Sequence, residues 1–504
     1  MNSSNEQVTD KSQSLVRSLG LLDATMIVIG SMIGSGIFIV SAKSMTLVGS
    51  PGWLLAAWGI AGVLTITGAL CCAELAAMMP RAGGQYVFLR EAYGKSIGFL
   101  FGWTLFFVVQ TGTIAAVAVA FAIFMGVLTP AISESIYLIP PIHLGSYAIT
   151  LSTQQLVAIG LILFLTFTNT RGLKTGTLIQ NTFTFTKTAA LIGLILVGLI
   201  LGRNSLSAAY AANWWNPWAN AGWNPSLAQP GVQTTNWLWL LMLVGLAMVG
   251  PLFAQSAWNN VTFTGSEIRE PGRNLPRALL IGCGAVVLLY LLANLAYVVT
   301  LHLGGFPALR VPPNTVATET MKAALGRPGL VMMAIAIMIS TFGCNNGLIL
   351  AGARIYYAMA RDDLFFKRVG QVNSRHVPVV ALIAQGIWTC LLTLPRTVTA
   401  GAKPGEFKYG NVYSQLLDYV ISADLVFYAL MVGAVFVMRR KAPELERPYR
   451  TFGYPVVPVI YIFLALLLVI DLAYLTPATS GIGYLLVIAG IPVYLIWKRK
   501  AARD

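Results

Sequence analysis

About twelve separate stretches of roughly 20 mostly apolar residues recur along the chain, each long enough to cross a bilayer as a helix. Their approximate centres are Ile33, Thr65, Val109, Leu161, Ile192, Val249, Leu288, Ile337, Ala384, Val426, Leu466 and Val487. Backbone immersed in hydrocarbon must satisfy its own polar groups, which restricts spanning structures to helices and closed barrels. The repeated short segments of alternating polarity that a barrel requires are absent. Composition agrees: 57% of the 504 residues are hydrophobic, 10% are charged and the mean hydropathy is +0.73, whereas about a quarter of residues are charged in soluble domains. The sequence therefore predicts an all-α fold, a polytopic membrane protein of 12 transmembrane helices. One transmembrane domain fills residues 21–498, between polar tails 1–20 and 499–504.

The net charge of +15, from 33 basic and 18 acidic residues, would point to nucleic acid in a soluble protein. Topology accounts for it here. With a cytoplasmic amino terminus and twelve crossings, most Lys and Arg fall on the inner side, as the positive-inside rule requires, and Lys187 lies within a span. No nucleic-acid partner is expected, and both termini are cytoplasmic. The first apolar segment is too long and too interrupted for a cleaved signal. The five cysteines (Cys71, Cys72, Cys283, Cys344, Cys390) fall inside predicted spans, so they read as packing residues, with no disulfide framework, metal spacing or cofactor.

Two spans are interrupted. Between Ala24 and Ala42 the charge-free run Gly30-Ser31-Met32-Ile33-Gly34-Ser35-Gly36-Ile37-Phe38 has little helix-forming strength. Between Trp237 and Gly265 come Gly250-Pro251 and then Gln255-Ser256-Ala257-Trp258-Asn259-Asn260. Freed backbone at membrane depth is tolerated only where protein, ligand or a water-filled cavity satisfies it, and paired breaks in two halves of a chain mark a transporter's binding site. Helix packing is the alternative for the first segment, since Gly30 to Gly34 is also a GxxxG pattern; the second break favours a site. If the broken spans each open a five-helix unit, residues 21–201 and 237–438 form a five-plus-five inverted repeat, with helices eleven and twelve (454–497) outside it.

A broken helix leaves carbonyls at one end and amides at the other, of opposite partial charge. Amides around Gly34, Ser35 and Gly36 suit a carboxylate, and carbonyls near Met32 and from Phe253 to Ser256 suit an ammonium, so a zwitterionic amino acid fits both. Phe253 and Trp258 stand where they would cover an aliphatic side chain, although both also read as core aromatics. Lys187 in span five is either buried and paired or reaches the interface by snorkelling. If buried, its expected partners are carbonyls of span one and hydroxyls of span eight, where Ser340, Gly343, Cys344 and Gly347 share a face beside Thr341. Its ammonium would then supply the positive charge that sodium supplies elsewhere, or exchange a proton during the cycle.

These residues resemble the amino acid-polyamine-organocation superfamily, most closely the prokaryotic branch of the L-amino-acid transporter family. The resemblance runs from about Gly20 to Lys498. Its motifs are the span-one run above, Pro80-Arg81-Ala82-Gly83-Gly84-Gln85-Tyr86 with Tyr93-Gly94, Phe253-Ala254-Gln255-Ser256-Ala257-Trp258-Asn259, Glu267-Ile268-Arg269-Glu270-Pro271-Gly272-Arg273-Asn274-Leu275-Pro276-Arg277, and Arg447-Pro448-Tyr449-Arg450. The resemblance implies alternating access. It also implies amino acid backbone binding at the positions matching Met32, Ser35 and Gly36, an aromatic gate at Phe253, carbonyl ligands at Phe253, Ala254 and Ser256, a polar contact at Asn259 and the family's fifth-helix lysine at Lys187. Two departures bear on function. Ser256-Ala257 replaces a glycine pair common in the family, which should narrow the pocket and favour small neutral substrates. The external segment Thr129 to Ser152 lacks the cysteine by which animal members join a glycoprotein heavy chain, so no such partner is expected.

Arg81, Glu267, Arg269 and Arg273, joined by Glu74, form either a solvated inner face or an inner gate of ion pairs. The tryptophan-rich segment from Asn213 to Trp239 is an interfacial belt or a moving lid. A membrane enzyme would want clustered His, Asp or Glu, yet His143, His302 and His376 sit in or near loops, and Asp418, Asp424 and Asp471 are scattered. A channel would need a repeated ring of carbonyls or charges. Span three offers no acid for a cationic substrate. The reading is a sodium-independent transporter of neutral amino acids, working by exchange, with a proton-coupled symporter or a non-transporting sensor as alternatives. The lack of Asn-x-Ser/Thr in outer loops points to a bacterial inner membrane.

Overall fold

The computed structural model describes residues 19–80, 83–171, 176–201, 213–220, 223, 236–301, 315–373, 377–400 and 406–501. Arg81, His302 and His376 lie outside them. Eleven described helices are long and apolar enough to cross a membrane: Leu21–Ile39, Pro51–Met78, Lys95–Leu128, Thr153–Thr170, Phe183–Leu201, Trp237–Ala254, Pro271–Leu301, Val316–Arg361, Val412–Lys441, Val456–Leu475 and Ser480–Arg499. The shorter apolar helix Val379–Leu392 takes the ninth place. Every centre expected from the sequence falls on one of these twelve, which are numbered as spans one to twelve below.

Local chemistry starts and stops them. Pro51 occupies the first turn of span two, where a missing N–H costs nothing. Span four opens on a reciprocal cap, with Gln155 N–H donating to Ser152 Oγ (3.2 Å) and Ser152 N–H to Gln155 Oε1 (2.7 Å). Asn411 caps span ten through the Ser414 N–H (3.1 Å), and Arg439, Arg440 and Lys441 close it against the negative end of its dipole. Spans two and seven pack together, as do three and eight; five packs on eight and ten on three. The last two contacts are the pair that an inverted arrangement of five-helix halves makes equivalent. Spans eleven and twelve are the least buried, exposing Phe463, Leu466, Ile470, Leu485 and Ile488.

The helical class holds, with one addition that the sequence reading did not anticipate. Strands β1 (Tyr137–Leu144), β2 (Tyr147–Ser152), β3 (Pro395–Ala400) and β4 (Phe407–Tyr409) form an antiparallel sheet in that order. Gly145 turns the first hairpin at φ 63°, a left-handed conformation that glycine adopts without steric cost. The nearly buried Arg396 pins the sheet, donating to the Gly410 carbonyl (2.7 Å) and facing Glu134 at 3.5 Å. The pairing of β2 with β3 puts the loop after span three and the loop after span nine on one side. An odd number of crossings from a common start demands the same.

This sheet face also holds the described part of the tryptophan-rich segment. Trp223 donates to the Thr46 carbonyl (3.2 Å), Trp53 to that of Trp215 (3.1 Å), and Asn220 to that of Gly49 (2.9 Å), so the segment is docked on the corner between spans one and two. On the opposite, terminal face, Leu19 pairs with Ile268 in a parallel bridge. Span eight opens with a helix from Val316 that breaks at Gly326 (φ 68°, ψ −156°) before its longer part.

Candidate functional site

Span one stops at Met32, turns through Ile33 to Ser35 and resumes at Gly36. Its freed carbonyls are taken up by side chains of three other spans. Lys187 Nζ, 1% exposed, donates to the Gly30 carbonyl; Cys344 Sγ lies 3.9 Å from that of Ser31; Tyr290 OH donates to that of Met32 (3.0 Å), Ser340 Oγ to that of Gly34 (3.4 Å) and Tyr297 OH to that of Ile37 (3.1 Å). The amides differ. Gly34 N–H is used on the Met32 carbonyl (2.8 Å), while those of Ser35 and Gly36 have no partner among the described residues. The break therefore presents donors and hides acceptors, which is the polarity that receives a carboxylate.

Span six stops at Ala254 and resumes at Asn260. The Phe253 carbonyl accepts from Ser256 N–H (3.1 Å) and Ser256 Oγ (2.8 Å). The Ala254 carbonyl accepts from Tyr290 OH (3.2 Å), so one phenol joins both breaks. The Ser256 carbonyl accepts nothing among the described residues. Ala257 sits at φ 65°, where a Cβ costs roughly 1 kcal/mol and where a glycine pair would be at ease. The two broken spans touch through Gly36, whose added Cβ would meet Ala254 Cβ at 2.6 Å and Cα at 2.8 Å, and through Gly250 against Val40.

Between the breaks lies a small cavity, lined by Ser31, Met32, Gly34, Ser35, Gly36, Phe253, Ala254, Ser256 and Ala257 together with Thr113, Val117, Cys344 and Leu348. Phe253 closes one side, edge-on to Tyr413 with 6.2 Å between centroids, and Tyr413 OH lies 3.0 Å from Ser35 Oγ. Tyr413 also lines a cavity nearer the sheet face, about 350 Å³, whose mouth carries Lys43 3.9 Å from Asp418. A larger, mostly apolar cavity of about 760 Å³ lies among spans three, ten and twelve, away from both breaks.

Several expected residues stand elsewhere. Trp258 does not line the central cavity; it stacks on Tyr428 (5.3 Å, 18°) beside a neighbouring one. Asn259 donates its amide to Gln85 Oε1 (2.7 Å) and is likewise absent from that lining. Thr341 bonds the Ile337 and Met338 carbonyls of its own helix (2.8 and 3.1 Å), leaving Ser340 and Cys344 to reach span one. Cys344 is thus part of the site as well as packing. Tyr290, Tyr297 and Tyr413 were missed; the one signal available was a phenol inside an apolar span, which needs a partner when buried. Tyr290→Phe should raise the KM for the substrate and lower the melting temperature, the loss of one shared donor costing about 1–3 kcal/mol. Thermal melts with and without substrate read both.

Glu74 does not join Glu267 and Arg269 in one cluster. It is 1% exposed and takes two hydrogen bonds from Arg439 (2.8 and 2.7 Å) and one from Thr451 N–H (2.7 Å), with Arg447 at 3.8 Å. Arg447 in turn binds the last carbonyls of span ten. Glu267 faces Arg354 at 3.8 Å, Arg273 faces Glu270, and the Arg269 N–H bonds the Leu19 carbonyl (2.9 Å). Nearby, Tyr86 and Arg90 both bond Asp362; burial and then that carboxylate push the Tyr86 phenol well up, so it stays a donor. Removing one partner of a buried pair costs about 3–5 kcal/mol, whereas an exposed pair contributes under about 1 kcal/mol. Glu74→Gln should therefore lower the melting temperature strongly and Glu267→Gln hardly at all in the same assay.

A twelve-span bundle in which two broken helices meet around a small cavity is the architecture of a secondary transporter. The sequence profile of the amino acid permease family matches residues 19–497, and the chain belongs to that family of membrane amino acid transporters. Among relatives, the large neutral amino acids transporter small subunit 2 of Mus musculus is 30% identical, covering 97% of this chain and 82% of that protein. The b(0,+)-type amino acid transporter 1 of Mus musculus is 27% identical, covering 97% and 89%. The Asc-type amino acid transporter 1 of the same organism is 27% identical, covering 97% and 83%.

Proposed function

We propose that the protein is a sodium-independent exchanger of small neutral L-amino acids that works by alternating access. The observation that carries this reading is the polarity of the two breaks: the amides of Ser35 and Gly36 and the carbonyl of Ser256, none with a partner among the described residues, belong to the lining of one cavity. A substrate carboxylate sits on the first, its ammonium on the second, and its side chain lies between Phe253, Ala257 and Thr113. Lys187 Nζ itself occupies the Gly30 carbonyl at the end of the first half of span one, which supports independence from sodium. The name of the relative at 30% identity supports neutral cargo. The two halves are the repeats 21–201 and 237–438, both termini are cytoplasmic, and the setting is a bacterial inner membrane.

Counterflow in proteoliposomes tests this. Alanine, serine and threonine should drive entry of labelled alanine equally well with and without sodium, and arginine competing as well as alanine would overturn the neutral preference. The purified chain should suffice, because the segment that would reach a heavy chain is folded into β1 and β2 and holds no cysteine. Ala257→Gly should relieve about 1 kcal/mol of left-handed strain and admit bulkier side chains such as leucine; a competition series by side-chain size is the measurement.

A further inference from the structure

Across the break in span six lies another small cavity, which shares Ser256 with the central one and is also lined by Gln255, Trp258, Asp424, Tyr428 and Tyr461. Gln255 is fully buried; its amide donates to the Trp58 carbonyl (3.3 Å), but its Oε1 has no partner among the described residues. Asp424, at mid-span on span ten, is 5% exposed. The titratable groups around it are the phenols of Tyr428 on its own span and Tyr461 on span eleven, with the thiols of Cys71 and Cys72 beyond them on span two. No Lys or Arg lines the cavity among the described residues.

An ionised carboxylate buried without a cation is strongly disfavoured; Asp424 is hydrogen-bonded with Tyr428, and with its proton kept it adds a donor to the cavity that Gln255 also lines. Gln255 and Ser256 are consecutive residues of the unwound segment, so any movement of the break that opens the central cavity also moves the acceptor away from Asp424. We propose that Asp424 and Gln255 form a proton-binding site, filled while span six is closed over an amino acid and emptied when the segment swings to release it. The proton enters from water on one face and leaves to water on the other. Net uptake carries one proton per amino acid, and exchange, in which each outward amino acid carries a proton back, moves none in net. The proposal rests on the transport reading above and adds the coupling ion and its residue.

The test is alanine uptake into proteoliposomes with the outside one pH unit more acidic, with and without a protonophore. One unit is worth up to about tenfold accumulation for one proton. The wild type should approach that; Asp424→Asn should lose the gradient dependence and Asp424→Glu should keep it. Infrared difference spectra between mildly acidic and alkaline samples provide a readout independent of transport. A protonated-carboxyl band should be present in the wild type, absent in Asp424→Asn and shifted in Gln255→Met, which removes the acceptor. Uptake indifferent to the gradient, with or without the band, overturns the proposal and leaves amino acid transport standing. Gradient dependence that survives in Asp424→Asn overturns it as well. Absence of any amino acid flux or exchange would instead overturn the transport reading.

Discussion

Lys187→Met should give a folded protein whose amino acid uptake is reduced by about tenfold or more. The buried ammonium is bonded to the Gly30 carbonyl at the end of the first half of span one, the negative end of that half-helix dipole. Methionine fills the space of the aliphatic stem, so the variant removes charge and donor without opening a large void. A buried carbonyl left without its partner costs about 1–3 kcal/mol, and that cost falls on the segment which must hold Ser35 and Gly36 in place. Ser340 and Cys344 still reach the Gly34 and Ser31 carbonyls, which is why the fold should survive. Uptake normalised to monodisperse protein is the measurement, and activity within twofold of wild type would remove Lys187 from the account.

The second large effect is expected at Gly36. An alanine there would place its Cβ 2.6 Å from Ala254 Cβ and 2.8 Å from Ala254 Cα, and backbone cannot rotate away as a side chain can. The two broken spans must separate, at an overpacking cost of about 1–3 kcal/mol, and the amides and carbonyls that face each other across the cavity lose their spacing. Gly36→Ala should therefore abolish the stabilisation of the protein by alanine in thermal melts and reduce uptake by more than about tenfold. Gly59 on span two has open space where its Cβ would stand, so Gly59→Ala should stay within about 0.5 kcal/mol of wild type. Equal effects of the two substitutions would mean that Gly36 matters only as a helix glycine.

Much of the site is legible in the sequence. The glycine-rich run placed the first break and the polar run from Gln255 the second, while Gly250-Pro251 stays within the helix that ends at Ala254; Lys187 and the small-residue face of span eight marked the contacts to span one. The three phenols that bond span-one carbonyls or Ser35 were not legible. In a leucine-rich run such as the one around Tyr290, nothing in the neighbouring residues says that its hydroxyl meets Met32 and Ala254, which lie far away along the chain. Glu74 was placed on the correct face with the wrong partners, because like-signed loops offer many arginines and sequence does not rank them. The sheet was missed because two of its strands lie in one connection and two in another, and neither pair says that it will meet the other.

What the amino acids determine alone is the bundle and its two discontinuities. Hydrocarbon offers no hydrogen bonds, so twelve apolar runs must be helices, and a run that cannot stay helical must have its peptide groups met by something else. What only the tertiary structure decided is the rotation of each helix about its own axis. Spans that are apolar all round carry little information about which face turns inward. Packing against distant neighbours therefore fixed that Tyr290 joins the breaks, that Trp258 and Asn259 turn from the cavity, and that Asp424 faces Gln255 across a space of its own.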